Sequence, residues 1–185
     1  MIMNNNEIVQ IFLGMKEWSS FECKRAAVDP SKLLETVVAF ANTEGGYIVI
    51  GLEDPGKAVG EKRLLGISEK LDNVSDFLKL LEKEIEPPLT VLTKSELDIV
   101  NINGQPDKLL VVNIKKSNDV HSLKKGDTFT RKGSHNVKIG SSEIMRLKYE
   151  KGSIKYENEK SGITTFEDLE LSLLNIYKKD TSGES

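Results

Sequence analysis

Between Ala39 and Gly51 the chain reads AFANTEGGYIVIG, where a helical pattern ends, two glycines follow, and an apolar, β-branched run begins at once. The run Tyr47–Leu52 has almost no polar alternation, the signature of a central strand covered on both faces. The helix before it is well marked. Asp29 is placed to cap it, Pro30 sits where a missing N–H costs nothing, and Glu35 lies early, in keeping with the helix dipole. Leu33, Leu34, Val37, Val38, Phe40 and Ala41 give it a broad apolar face as far as about Asn42. Gly45 is expected to end the helix in left-handed geometry, and Gly46 to start the strand without a side-chain clash.

A glycine-rich turn invites comparison with a phosphate loop. Such loops run strand, glycines, helix, so that the free N–H groups of the helix N-terminus face the phosphate. Here the helix arrives with its C-terminus, the end of partial negative charge. The chain also contains no GxxxxGK[ST] or GxGxxG pattern. Nucleotide hydrolysis is therefore a weak reading.

The remaining pattern alternates helices and strands. A short helix is expected over residues 6–15 and a strand over 20–24, with Phe21 and Cys23 facing one side and Glu22 and Lys24 the other. Val74, Phe77, Leu78, Leu81 and Ile85 recur at helical spacing before Pro87-Pro88. Strands over 89–100 and 108–115 flank Asn103-Gly104, a hairpin signal. A strand over 128–131 and a helix over 141–149 follow. The sum is an α+β (mixed α/β) domain over residues 1–150. Beyond it come a polar linker (151–165), a helix (166–178) whose apolar positions suit docking on the domain or on a second copy, and a flexible tail (179–185).

Composition narrows the setting. One cysteine, Cys23, allows neither an internal disulfide framework nor a multi-cysteine zinc cluster, which favours a reducing, cytoplasmic location. The start, MIMNNNEIVQIFLG, lacks a basic segment followed by a long apolar one, so no secretory signal is expected. Apolar runs fall far short of the ~20 residues that span a bilayer, so no membrane partner is expected. Net charge is −3, but unevenly spread: −6 over residues 1–106, +7 over 107–155 and −4 over the last thirty. Lysines that merely solvate strand edges would account for this; so would a basic face beside an acidic site.

Carboxylates give the second reading substance. Glu17 and Glu22 stand five apart across a turn into a strand, and Glu53-Asp54 follow the strand after the glycines. If the two strands are neighbours, three carboxylates and Lys24 can meet at one sheet edge. Oxygen ligands of this kind suit Mg²⁺ or Mn²⁺, and a nearby lysine can bind a phosphate. Scattered surface acids, which are common, account for the same residues.

Three blocks together resemble the Schlafen AlbA-2 domain: Glu17-x4-Glu22-Cys23-Lys24-Arg25-Ala26, Ala39–Leu52, and Phe129-Thr130-Arg131-Lys132-Gly133-Ser134-His135. That family also carries the labels divergent AAA-4 and DNA- or ATP-binding domain. The resemblance implies a nucleic-acid-binding α/β domain. It further implies that Glu17 and Glu22 match two of three metal-binding carboxylates with which animal relatives cleave structured RNA such as tRNA. Asp54, or Glu53, is nearest to the third, Lys24 matches the strand lysine, and Arg131 the arginine that approaches phosphates with Lys132 and His135. Arg25, Lys115, Lys116, Lys124, Lys125 and Lys138 complete the basic set. Two departures stand out: the animal zinc site has no cysteines to build it here, and their two lobes are one here, so a homodimer is the natural substitute.

Two functions follow. One is a Mg²⁺- or Mn²⁺-dependent endoribonuclease with Glu17, Glu22, Asp54 and Lys24 as its site. The other is a non-catalytic module that binds RNA or DNA. ATP binding ranks third, for the reversed order of helix and glycines.

Overall fold

The computed structural model describes residues 3–153. The expected C-terminal helix, the tail and nearly all of the linker lie outside the described residues. The chain runs through helix α1 (Asn5–Gly14), strand β1 (Phe21–Lys24), helix α2 (Pro30–Asn42) and strand β2 (Gly45–Ile50). Two 3-10 turns, Gly60–Arg63 and Ile67–Lys70, lead to helix α3 (Leu71–Lys83). Strands β3 (Ile85–Glu86), β4 (Leu92–Val100), β5 (Pro106–Lys115), β6 (Ser122–Leu123), β7 (Thr128–Lys132) and β8 (His135–Ile139) precede helix α4 (Ser141–Ser153). The class is α+β.

Four strands form the main sheet in the order β1-β2-β5-β4. Strands β1 and β2 are neighbours and parallel, with Phe21 opposite Tyr47 and Lys24 opposite Ile50. The other two pairings are antiparallel. Every residue of β2 is buried, as its unbroken apolar run requires. Ile48 and Ile50 pack with Val112 and Ile114 against α2 and α3, while Tyr47 and Val49 pack with Phe21, Cys23 and Val111 against α1. Each fully buried aliphatic or aromatic side chain of this kind contributes roughly 1.5–3 kcal/mol. No helix among the described residues is long and apolar enough to cross a membrane.

The double glycine works differently from its expected role. Helix α2 is closed by Thr43, whose hydroxyl donates to the Ala39 carbonyl at 2.6 Å, and both glycines already belong to β2. Gly45 does have a left-handed φ of 79°. A Cβ there would stand 2.6 Å from the Ile114 carbonyl, and one on Gly46 would stand 2.6 Å from the Ser20 carbonyl. The glycines let β2 lie close between its neighbours; they do not end the helix.

Strand β8 and the end of helix α4 also differ from the expected pattern. Strand β8 was not legible because HNVKI has little apolar alternation; its pairing with β7, Arg131 opposite Asn136, makes it a strand. Helix α4 continues past Tyr149 because Lys151 is anchored, its ammonium donating to the carbonyls of Ala41 (3.1 Å) and Ser117 (2.5 Å). Burial pulls that ammonium down to about 8.

Candidate nucleic-acid interface

Strands β1 and β2 end side by side, and the amides of Gly51 and Leu52 both donate to the Lys24 carbonyl. This turn carries Glu53 and Asp54 away from the same sheet end. Glu17 lies along the free edge of β1. Its Oε1 accepts from the Cys23 amide at 3.4 Å, the Cys23 thiol at 3.6 Å and the Lys24 ammonium at 2.9 Å. An edge strand exposes unpaired N–H groups, and here a carboxylate covers one of them.

Glu22 points to the face covered by α2. One of its oxygens pairs with Lys24, and the other lies 2.5 Å from the Arg131 guanidinium. Lys24 therefore sits between Glu17 and Glu22. Burial alone would pull its ammonium down, but the Glu22 and Glu17 carboxylates push it up to about 12.

Arg131 is enclosed, with 1% of its side chain exposed against 5% for Glu22. Besides Glu22 it donates to the Trp18 carbonyl (3.0 and 3.3 Å) and to Asn136 Oδ1 (2.8 Å), and its cation lies 5.1 Å from the centre of the Phe40 ring. Its backbone amide donates to Thr43 Oγ1 at 2.9 Å. One residue earlier, Asn42 donates to the carbonyls of His121 (2.8 Å) and Phe129 (3.0 Å) and accepts from the His121 amide. The Asn-Thr at the end of α2 thus fastens β7 to the helix.

The two other carboxylates are occupied locally. Glu53 Oε2 lies 3.3 Å from Arg25, and its Oε1 accepts from the Asp54 amide at 2.9 Å. Asp54 Oδ1 accepts from the Gly56 amide at 2.6 Å, closing its own turn. Both line an open depression of about 490 Å³ with Cys23, Lys24, Arg25 and Lys57.

Residues 17–140 match the family model described as Schlafen, AlbA_2. The chain belongs to the Schlafen AlbA_2 family. Two solved structures are similar to it. One is the DIP2311 protein from Corynebacterium diphtheriae, at 14% identity and a TM-score of 0.49, covering 86% of this chain and 33% of that one. The other is the N-terminal domain of an ATP-dependent DNA helicase RecG-related protein from Nitrosomonas europaea, at 20% identity and a TM-score of 0.45, covering 62% of this chain and 74% of that one. The chain spans about a third of the length of the first. No curated protein matches it.

Within this Schlafen AlbA_2 domain, the expected site residues divide into two groups. Glu17, Glu22 and Lys24 meet directly; Glu53 and Asp54 border Lys24 across the depression. Among the described residues, no three His, Cys, Asp or Glu side chains gather closely enough to hold a metal ion. As arranged, Lys24 and Arg131 answer the charges of Glu17 and Glu22, and the set fits salt-bridged carboxylates better than a three-ligand Mg²⁺ or Mn²⁺ site. The roughly 0–1 kcal/mol typical of an exposed ion pair does not describe Glu22–Lys24, because Glu22 is buried.

The basic residues also divide. Arg131 is inside the structure. Arg25 is exposed but held by Glu53 and Glu69. Lys116 pairs with Glu44 at 2.9 Å, and Lys125 and Lys138 share Asp127 at 3.3 and 2.6 Å. Lys115, Lys124, Lys132 and His135 are exposed, and none of the three lysines has an acidic partner among the described residues.

Sequence reasoning missed Arg63. Buried, it donates to the carbonyls of Leu13 (2.9 Å) and Glu53 (2.7 Å) and to Cys23 Sγ (3.2 Å), tying α1, β1 and the depression together. Its stretch, EKRLLG, has no periodicity that marks a buried arginine. Burial, with Glu17 beside it, pushes the Cys23 thiol up to about 12, although the Arg63 and Lys24 cations pull it the other way.

Proposed function

We infer that this domain binds nucleic acid without cutting it, holding the phosphate backbone with exposed cations of the β5 end and the β6–β8 region. The observation that carries this is the contrast in charge pairing. Lys115, Lys124 and Lys132 face solvent with no acidic partner among the described residues, while the Glu17 and Glu22 carboxylates are answered by Lys24 and Arg131. Unpaired surface lysines can exchange condensed counterions for phosphates, which supplies most of the affinity in sequence-independent binding. Membership of the Schlafen AlbA_2 family supports the same reading.

The test is fluorescence anisotropy with labelled RNA and DNA across a salt series. Affinity is expected to fall steeply with salt, with a slope of about −0.7 to −0.9 per phosphate neutralised. Absent or salt-insensitive binding would overturn the proposal.

Cleavage of structured RNA such as tRNA, by a divalent-metal-dependent site of Glu17, Glu22 and Asp54 or Glu53, is a second reading. It is favoured by one observation, that Lys24 touches Glu17 and Glu22 and lines the same depression as Glu53 and Asp54. It requires Lys24 to release both carboxylates. Incubation of the full chain with tRNA and Mn²⁺ decides it, with Glu17→Gln as the control. Glu17→Gln is preferable to Glu22→Ala, which would also strip a buried arginine of its partner. Cleavage by the wild type that Glu17→Gln abolishes would establish this reading; uncut tRNA would leave binding alone.

A further inference from the structure

Trp18 is the only tryptophan in the chain, and 56% of its surface is exposed. Its backbone is held firmly. The amide donates to the Phe21 carbonyl at 3.0 Å, and the carbonyl accepts two hydrogen bonds from Arg131. Arg131 is buried and fixed in turn by Glu22 and Asn136. The indole therefore stands on a rigid mount while its own surface stays open. Its edge lies against the tip of the β7–β8 hairpin, 4.0 Å from where a Cβ on Gly133 would be, and that glycine has a φ of 55°. Lys132 and His135, on either side of the tip, are exposed, as is Lys16 two residues before the indole.

An aromatic ring fixed by its backbone and flanked by cations is the combination that single-stranded nucleic acid uses. The cations track phosphates, and the ring accepts a base face. Paired bases inside a duplex already stack on one another and offer no free face. We propose that Trp18 is a stacking platform for an unpaired nucleobase, so that the domain prefers single-stranded or looped-out segments over continuous duplex. This rests on the nucleic-acid-binding reading and adds the class of ligand.

A single tryptophan makes the wild-type chain its own reporter. The probes are a fluorescein-labelled single-stranded oligonucleotide, for anisotropy, and the same strand unlabelled or annealed to its complement, for indole emission. The expected result is saturable quenching by the single strand and markedly less by the duplex. Trp18→Ala should weaken single-strand binding by roughly 5- to 150-fold, as loss of stacking on one base does, while Trp18→Phe retains most of it. The salt slope should not change, because no cation is removed. Binding seen by anisotropy with no change in indole emission would overturn stacking and leave the binding reading standing. No anisotropy change at low salt would overturn both. Emission that shifts with protein concentration in the absence of nucleic acid would assign Trp18 to contact between copies of the chain, and would also overturn the proposal. The wild-type fluorescence experiment decides the matter even if Trp18→Ala fails to fold.

Discussion

Glu22 and Arg131 form an ion pair at 2.5 Å with both side chains enclosed, linking β1 to β7 across the face covered by α2. Removing one partner leaves a buried charge uncompensated, so Glu22→Ala should cost about 3–5 kcal/mol. Replacing both, as in Glu22→Leu with Arg131→Met, should recover much of that loss, because desolvation of the pair offsets most of its attraction. Urea denaturation of Glu22→Leu, Arg131→Met and the double variant checks the coupling. Independent, additive losses would mean that the pair does not hold β7 in place.

Asn42 binds three backbone groups, two on His121 and one on Phe129 within β7. Asn42→Ala leaves them buried without partners and should destabilise by about 1–3 kcal/mol for each group that stays unsatisfied. Hydrogen exchange should quicken first at His121, whose amide loses its acceptor, and a change confined to α2 would contradict this.

Gly45→Ala should cost about 3 kcal/mol or more, since it adds left-handed strain to a contact of 2.6 Å with the Ile114 carbonyl. Gly46→Ala meets a comparable clash at Ser20 without the strain, so its loss of stability should be the smaller. Thermal melts of the two variants give the order.

Cys23 should be silent to thiol reagents at pH 8 in the folded protein and react only in denaturant. The folded thiol titrates at about 12 against 9.0 unfolded, so the folded state holds the extra proton. Its contribution is fully present below pH 9 and is lost as pH rises through 12. Lys24, raised from 10.5 to about 12, acts in the same direction above pH 10.5. Lys151, lowered to about 8, acts oppositely between about 8 and 10.5, so the check compares wild type with Cys23→Ala at each pH. Wild type should lose stability relative to Cys23→Ala between pH 9 and 12.

Lys124→Gln and Lys132→Gln should each weaken nucleic-acid binding about equally for all sequences and reduce the salt slope by about 1. Neither lysine holds an ion pair among the described residues, so their melting points should stay near that of wild type. A change in sequence preference without a change in slope would mean contacts with bases in place of phosphates.

Local chemistry explains why so much of the fold was legible. The Asp29 cap, Pro30, the apolar face of α2 and the unbroken run of β2 each depend on neighbours within a turn or a strand, and each lies where the pattern placed it. The side-by-side position of β1 and β2 was a condition in the sequence and is a fact of the fold. Short polar β8 and buried Arg63 were not legible, because partners distant in sequence create them.

The sequence by itself determined the layered α+β class, the central strand, the family and the residues that could carry charge chemistry, since these follow from periodicity and from blocks of adjacent residues. Only the tertiary structure decided which charges are free. Arg131, in sequence one more cation for a phosphate, is buried on Glu22 and carries the Trp18 carbonyl; Glu17 and Glu22 share an ammonium of the protein itself. The physical reason is that a charge is silent or available according to what lies within about 4 Å of it, and residues over a hundred positions apart set that distance here.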